Sequence, residues 1–346
     1  MITNTNTSLE KYTKTHFGKY LDDDTINEIA YNGSNVIWFQ TNNGEWHSEV
    51  SETFALEAAL SFAQTAAAFK KDTLDQKKPI LSCTLLTGER VQIVIPPACK
   101  MGTMSITIRK PSKTNVSIEA FANDGFFTEI VSKKDENISP QDKELRDLYK
   151  ACKYQEFLAK AVTYKKTIVI AGETGSGKTT LMKSLIEYIP LSERLITIED
   201  VEEIKFFDHK NFVQLFYPSE AKSSDLVNSA TLLKSCLRMK PDRILIAELR
   251  DGATYDFINV VSSGHGGSLT SCHAGSVSET FSRLALMTLQ NEQGRNIPFE
   301  VITNMLKDVI DVVVHMHKIV EEVNDQFISK RRISEIYFKG NTNEAH

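Results

Sequence analysis

Along the first third of the chain, apolar and polar positions alternate in short runs. Residues 26–50, INEIAYNGSNVIWFQTNNGEWHSEV, are broken at Asn32-Gly33 and Asn43-Gly44, dipeptides that favour tight hairpin turns. The pattern predicts a short antiparallel meander. Residues 52–70 are rich in alanine and carry apolar positions at helical spacing, which predicts a helix. Three β-rich runs follow at 80–86, 90–95 and 104–109, so residues 1–115 predict an α+β domain.

Residues 116–160 differ in character. A charged stretch leads into Ser139-Pro140, a helix cap followed by a residue suited to the first helical position. This predicts a linker with one or two helices. From Lys165 strands and helices alternate: TIVIAG, a helix from Lys178, LITIED, FVQLF, a helix near 225–238, RILIAEL, a helix from Gly252, SLTSC, and a helix to Gln290. Strands this apolar, separated by helices, predict an α/β fold with a parallel sheet covered on both faces over residues 161–346.

Bulk composition narrows the picture. A chain of 346 residues exceeds the size at which one core keeps growing, which agrees with two domains. A net charge of -5 speaks against nucleic acid as the main partner, so no direct nucleic-acid binding is expected. The charge is uneven: residues 10–57 hold nine acids and three lysines, residues 70–113 nine bases and three acids. The basic segment is either a solvated face or a rim for an anionic ligand. Five cysteines, none spaced as CxxC, fit free thiols in a reducing cytoplasm. There is no signal-peptide pattern and no apolar run long enough to span a bilayer; VIDVVVHMH is short and contains Asp311. Any work at a membrane is expected from outside the lipid.

The strongest chemical signal is GETGSGKT, followed by another threonine. Gly172, Glu173, Thr174, Gly175, Ser176, Gly177, Lys178, Thr179 and Thr180 lie between a predicted strand and a predicted helix. Glycines let backbone N–H groups turn inward, and the helix brings its positive end to a bound phosphate. Lys178 is placed to reach the β- and γ-phosphates of ATP, and the Thr179 hydroxyl to ligate Mg²⁺. Hydrolysis also needs an acid to support the metal and a group to orient water. Two strands end in acids, one at Glu199 and Asp200, the other at Glu248, where Ala247 occupies the place of the usual aspartate. Which glutamate orients water stays open, and Glu248 is the expected metal-side acid. In SSGHGGSLTSCHAGS, residues 262–276, Cys272 and His273 are adjacent on a strand and so face opposite ways, which suits a shared metal poorly. His273 is instead expected on the rim with Glu199 and Glu248, near a γ-phosphate, and His265 in a mobile glycine-rich loop.

Together the phosphate loop, ITIEDVEE, LRMKPDRILIAELRDGATYDFI and the histidine stretch resemble the traffic ATPases of bacterial type IV secretion systems. The likeness extends to GERVQIVIPP, TIRKPS and the linker GFF. It implies a homo-hexameric ring in which a helical linker joins the N-terminal α+β domain to a RecA-like P-loop NTPase domain. It further implies Glu199 as the water-polarising base, Glu248 as the Walker B acid, and Arg90 and Arg109 as arginines reaching the nucleotide phosphates. The implied role is a cytoplasmic motor, peripheral to the inner membrane, which works with a channel and other ATPase components. The alternatives are a type II secretion or pilus motor, a nucleic-acid translocase, and a scaffold that merely holds nucleotide.

Overall fold

The computed structural model describes residues 4–112, 115–128, 139–222, 224–323 and 326–341. The chain opens with a helix that its composition conceals, α1 (Asn4–Asp22), in which buried Leu9, Phe17 and Tyr20 are separated by polar residues. The expected meander follows as β1 (Ile26–Tyr31), β2 (Val36–Thr41) and β3 (Trp46–Val50). Then come α2 (Leu56–Lys70), β4 (Ile80–Thr84), β5 (Arg90–Val94) and β6 (Ser105–Arg109). The six strands form one antiparallel sheet in the order β3-β2-β1-β6-β5-β4. Phe17, Tyr31, Phe54 and Phe62 meet edge to face beneath α1 and α2, each worth roughly 1.5–3 kcal/mol of burial.

The linker region holds α3 (Ile118–Asn123), α4 (Pro140–Lys150) and α5 (Tyr154–Thr163). The Ser139 hydroxyl accepts a hydrogen bond from the Asp142 amide and Pro140 fills the first turn, as the dipeptide predicts. Most of the charged stretch, at 129–138, lies outside the described residues.

The second sheet is built from β7 (Ile168–Gly172), β8 (Leu195–Glu199), β9 (Phe212–Phe216), β10 (Arg243–Ile246), β11 (Leu269–Cys272), β12 (Val312–Val323) and β13 (Gln326–Phe338). Its order is β13-β12-β7-β11-β10-β8-β9, parallel except for the antiparallel β12–β13 hairpin. The interleaved helices are α6 (Lys178–Ile186), α7 (Ser229–Cys236), α8 (Ala253–Ser262), α9 (Val277–Thr288) and α10 (Phe299–Val309). Alternate residues of the buried strands feed two cores. Val169, Ile196 and Ile244 join residues of α7 to α10, while Ile168, Leu195 and Leu245 join α4, α5 and α6. Helices thus cover both faces, as fully apolar strands require. Among the described residues no helix is long and apolar enough to cross a membrane.

The two sheets are tied together. Segment 98–100 pairs with the outer edge of β9: the Phe216 amide donates to the Ala98 carbonyl and the Lys100 amide to the Gln214 carbonyl. An exposed edge is thereby covered. Beside it, Arg194 is fully buried and donates to Asn32 at 2.9 Å and to the Met239 carbonyl at 3.0 Å. Its backbone amide donates to Asp242, which also accepts from the Trp46 indole at 3.0 Å. Burial pulls the Arg194 guanidinium down to about 10, and the surrounding acceptors satisfy its donors.

Candidate nucleotide-binding site

Strand β7 is buried along its length and delivers the chain to the loop 173–177, after which α6 begins at Lys178. Gly172, Gly175 and Gly177 all adopt positive φ. At Gly172 only glycine fits, since a Cβ there would lie 2.2 Å from the Met316 carbonyl oxygen. The loop therefore turns tightly with its amides directed inward at the helix's positive end. Lys178 is buried and its ammonium donates to the carbonyls of Gly172 at 2.9 Å and Glu173 at 3.1 Å. Desolvation pushes its pKa below the usual lysine value, opposed by the nearby Glu248. The Ser176 hydroxyl is buried and has no hydrogen-bond partner among the described residues. A cleft of about 310 Å³ opens here, lined by the phosphate loop, Thr179, Thr180, Asp200, Glu203, Glu248, Arg250, His273 and Arg331.

Opposite Lys178 stands a chain of charged groups. His273 directly follows β11; its Nε2 lies 3.1 Å from a Glu248 oxygen and its Nδ1 3.5 Å from the Lys178 ammonium. That geometry assigns the proton to Nε2, leaving Nδ1 to accept from Lys178. Arg250 donates to Glu248 at 2.8 Å and to Asp200. Cys272, the residue before His273, points away into the core, where burial raises its thiol to about 12. Thr179 and Glu248 offer the hard oxygen donors that Mg²⁺ takes in company with phosphate, so the residues present fit that ion. Among the described residues no group of three or more His, Cys, Asp or Glu could hold a metal by itself.

The expected position of Glu199 on the rim needs correction. Its side chain is fully buried and does not line the cleft. One oxygen accepts from the backbone amides of Glu203 and Ile204, both at 2.9 Å, and the other from the Thr197 hydroxyl at 2.6 Å and Gln214 at 3.3 Å. The reason is strand periodicity: Glu199 shares a face with Leu195 and Thr197, and the chain folds back across that face. From this segment the carboxylates that line the cleft are those of Asp200, paired with Arg250, and Glu203.

Arg90 and Arg109 also lie elsewhere. They line a second cleft, of about 660 Å³, between the first sheet and the region after α7, together with Glu28, Arg238, Lys240 and His265. Within one chain this cleft does not include the phosphate loop. Arg109 Nε is 3.5 Å from Glu28, which is buried and whose carboxyl desolvation raises to about 7 in spite of Arg109, Lys240 and Arg194. Sequence reasoning missed three residues of the first cleft: Glu203, Arg250 and Arg331. The first two stand within four residues of acids it identified. Arg331 had no local signal.

A family model for type II/IV secretion system proteins matches residues 15–343. The type IV secretion system protein VirB11 of Brucella abortus (strain 2308) is 49% identical over 328 residues, covering 94% of this chain and 89% of that protein. The type IV secretion system protein PtlH of Bordetella pertussis is 36% identical over 322 residues, covering 92% of each. The crystal structure of the Brucella suis VirB11 ATPase in complex with sulphate superposes with a TM-score of 0.89 at 46% identity, covering 97% of this chain and 96% of that one.

Proposed function

The chain belongs to the type II/IV secretion system protein family, and from that premise we propose that it is an ATP-hydrolysing motor of a type IV secretion system. The observation that carries the reading is a desolvated Lys178 inside the glycine turn, faced across one cleft by Glu248 and His273. The loop amides and Lys178 bind the polyphosphate, with Lys178 neutralising the distal phosphates. Thr179 and Glu248 would hold Mg²⁺, which would supply further charge neutralisation. Glu203 orients the attacking water, in the role expected of Glu199, while Glu199 fixes the loop that presents Glu203. His273, hydrogen-bonded to both Lys178 and Glu248, responds to whether a terminal phosphate is present. The partners are further copies of the chain in a hexameric ring at the cytoplasmic face of the inner membrane, together with channel components.

The test is phosphate release by the intact protein. Lys178→Ala is expected to fall to background, and Glu203→Gln to lose about 100-fold in kcat while still binding ATP. Wild-type turnover in Lys178→Ala removes this active site; wild-type turnover in Glu203→Gln removes Glu203 from the water-orienting role.

A further inference from the structure

The β12–β13 hairpin is longer than the sheet requires. Residues Val312 to Met316 pair with β7, and the hairpin then runs on past the end of β7 at Gly172. Strand C-termini are where ligands of parallel sheets bind, so the extension overhangs the phosphate loop. Two contacts bind it there. The Met316 carbonyl packs against Gly172, and the Lys318 amide donates to the Glu173 carboxylate at 3.3 Å. Arg331, which pairs with Lys318 across the hairpin, lays its stem over the loop: a Cβ at Gly177 would lie 2.9 Å from Arg331 Cδ and 3.5 Å from its Nε.

The residues flanking Arg331 on its strand already have acceptors. Lys330 pairs with Glu321 at 2.5 Å, and Arg332 donates to the Arg331 carbonyl at 3.0 Å. Among the described residues the Arg331 guanidinium has no acidic partner, although it lines the cleft. A cation with five donors, unpaired beside an amide cradle, calls for an anion. Its side of the cradle says which part. In the order β13-β12-β7-β11-β10, Glu248 and His273 follow strands on one side of β7, whereas Arg331 approaches from the other. With the terminal phosphate at the Glu248–His273 side, Arg331 meets the phosphates nearer the nucleoside.

We propose that Arg331 is a nucleotide-binding residue which grips the phosphates retained in ADP, making the C-terminal hairpin part of the binding site. This rests on the nucleotide reading given above. It acts on ground state and transition state alike, so it governs affinity and leaves the chemical step largely alone.

The experiment titrates the intact chain with fluorescent ADP and a fluorescent non-hydrolysable ATP analogue, and measures steady-state ATP turnover. Arg331→Ala and Arg331→Gln are expected to bind both nucleotides about tenfold more weakly. Arg331→Lys should lose less. KM for ATP should rise in step while kcat stays within about twofold of wild type. Arg331→Gln keeps the stem on Gly177, and an unchanged melting temperature without nucleotide separates lost binding from lost folding. If Arg331→Gln binds ADP like wild type while Lys178→Ala fails to bind, the inference is wrong and the site stands. Loss confined to the ATP analogue, or a fall in kcat at unchanged ADP affinity, also overturns it, because Arg331 would then act at the terminal phosphate. Wild-type binding by Lys178→Ala would overturn the nucleotide reading itself, and this inference with it.

Discussion

Lys178 and Glu28 are both charged groups that the fold removes from water, with opposite consequences. Lys178 keeps two carbonyls and the His273 ring as partners, so its charge is held ready for an anion at small reorganisation cost. Glu28, 4% exposed, has Arg109 at 3.5 Å as its one ion-pair partner among the described residues. Its carboxyl lies at about 7 in the folded chain against 4.5 ordinarily, so the folded state holds the proton more tightly than the unfolded state. Folding stability from this group is therefore undiminished below pH 4.5 and is lost as pH rises through 7. The loss is at most roughly 3.5 kcal/mol, since a tenfold difference in proton affinity between the two states is worth about 1.4 kcal/mol. Glu28→Gln should flatten the fall in chemical-denaturation stability between pH 5 and pH 8 and be the more stable form at pH 8. An identical pH slope in the two proteins would show that Glu28 is ionised without penalty.

At the scale of elements, each feature of the site has a different range of cause. The strand, glycine turn and helix of residues 168–186 were legible because their determinants are local: an apolar run, glycines at fixed offsets and an amphipathic segment. Glu203 was not, because only the fold of residues 200–204 over the end of β8 decides which glutamate of EDVEE reaches the cleft. Helix α1 was missed because its buried residues are too few among polar ones, and the β12–β13 hairpin because only VIDVVVHMH stood out. Arg331 reaches Gly177 through pairing set by residues more than a hundred positions away. The division of labour between Glu199 and Glu203 can be tested. An amide at 199 presents a donor to groups that already donate, so Glu199→Gln should cost about 1–3 kcal/mol in stability and reduce kcat by misplacing Glu203. A reduced kcat with an unchanged melting temperature would instead make Glu199 a direct participant.

For the whole molecule, the junction sets what one chain can do alone. Arg194, Asp242 and the 98–100 segment hold the first sheet against β9, and Arg90 and Arg109 then line a cleft of their own. If these arginines serve the nucleotide, they serve that of a neighbouring copy. Mixing Lys178→Ala chains with Arg90→Ala chains should then restore ATP turnover, because intact Lys178 sites gain a neighbour's intact Arg90. No restoration would confine Arg90 to its own chain. All of this depends on the cleft above β7 receiving a nucleotide. The most direct measurement is a crystal structure of the protein soaked with a non-hydrolysable ATP analogue and Mg²⁺. The polyphosphate is expected on the amides of residues 175–179, with Lys178, Glu203, Glu248 and His273 around its terminal phosphate; an analogue bound elsewhere, or that cleft left empty at saturation, would rule out this site.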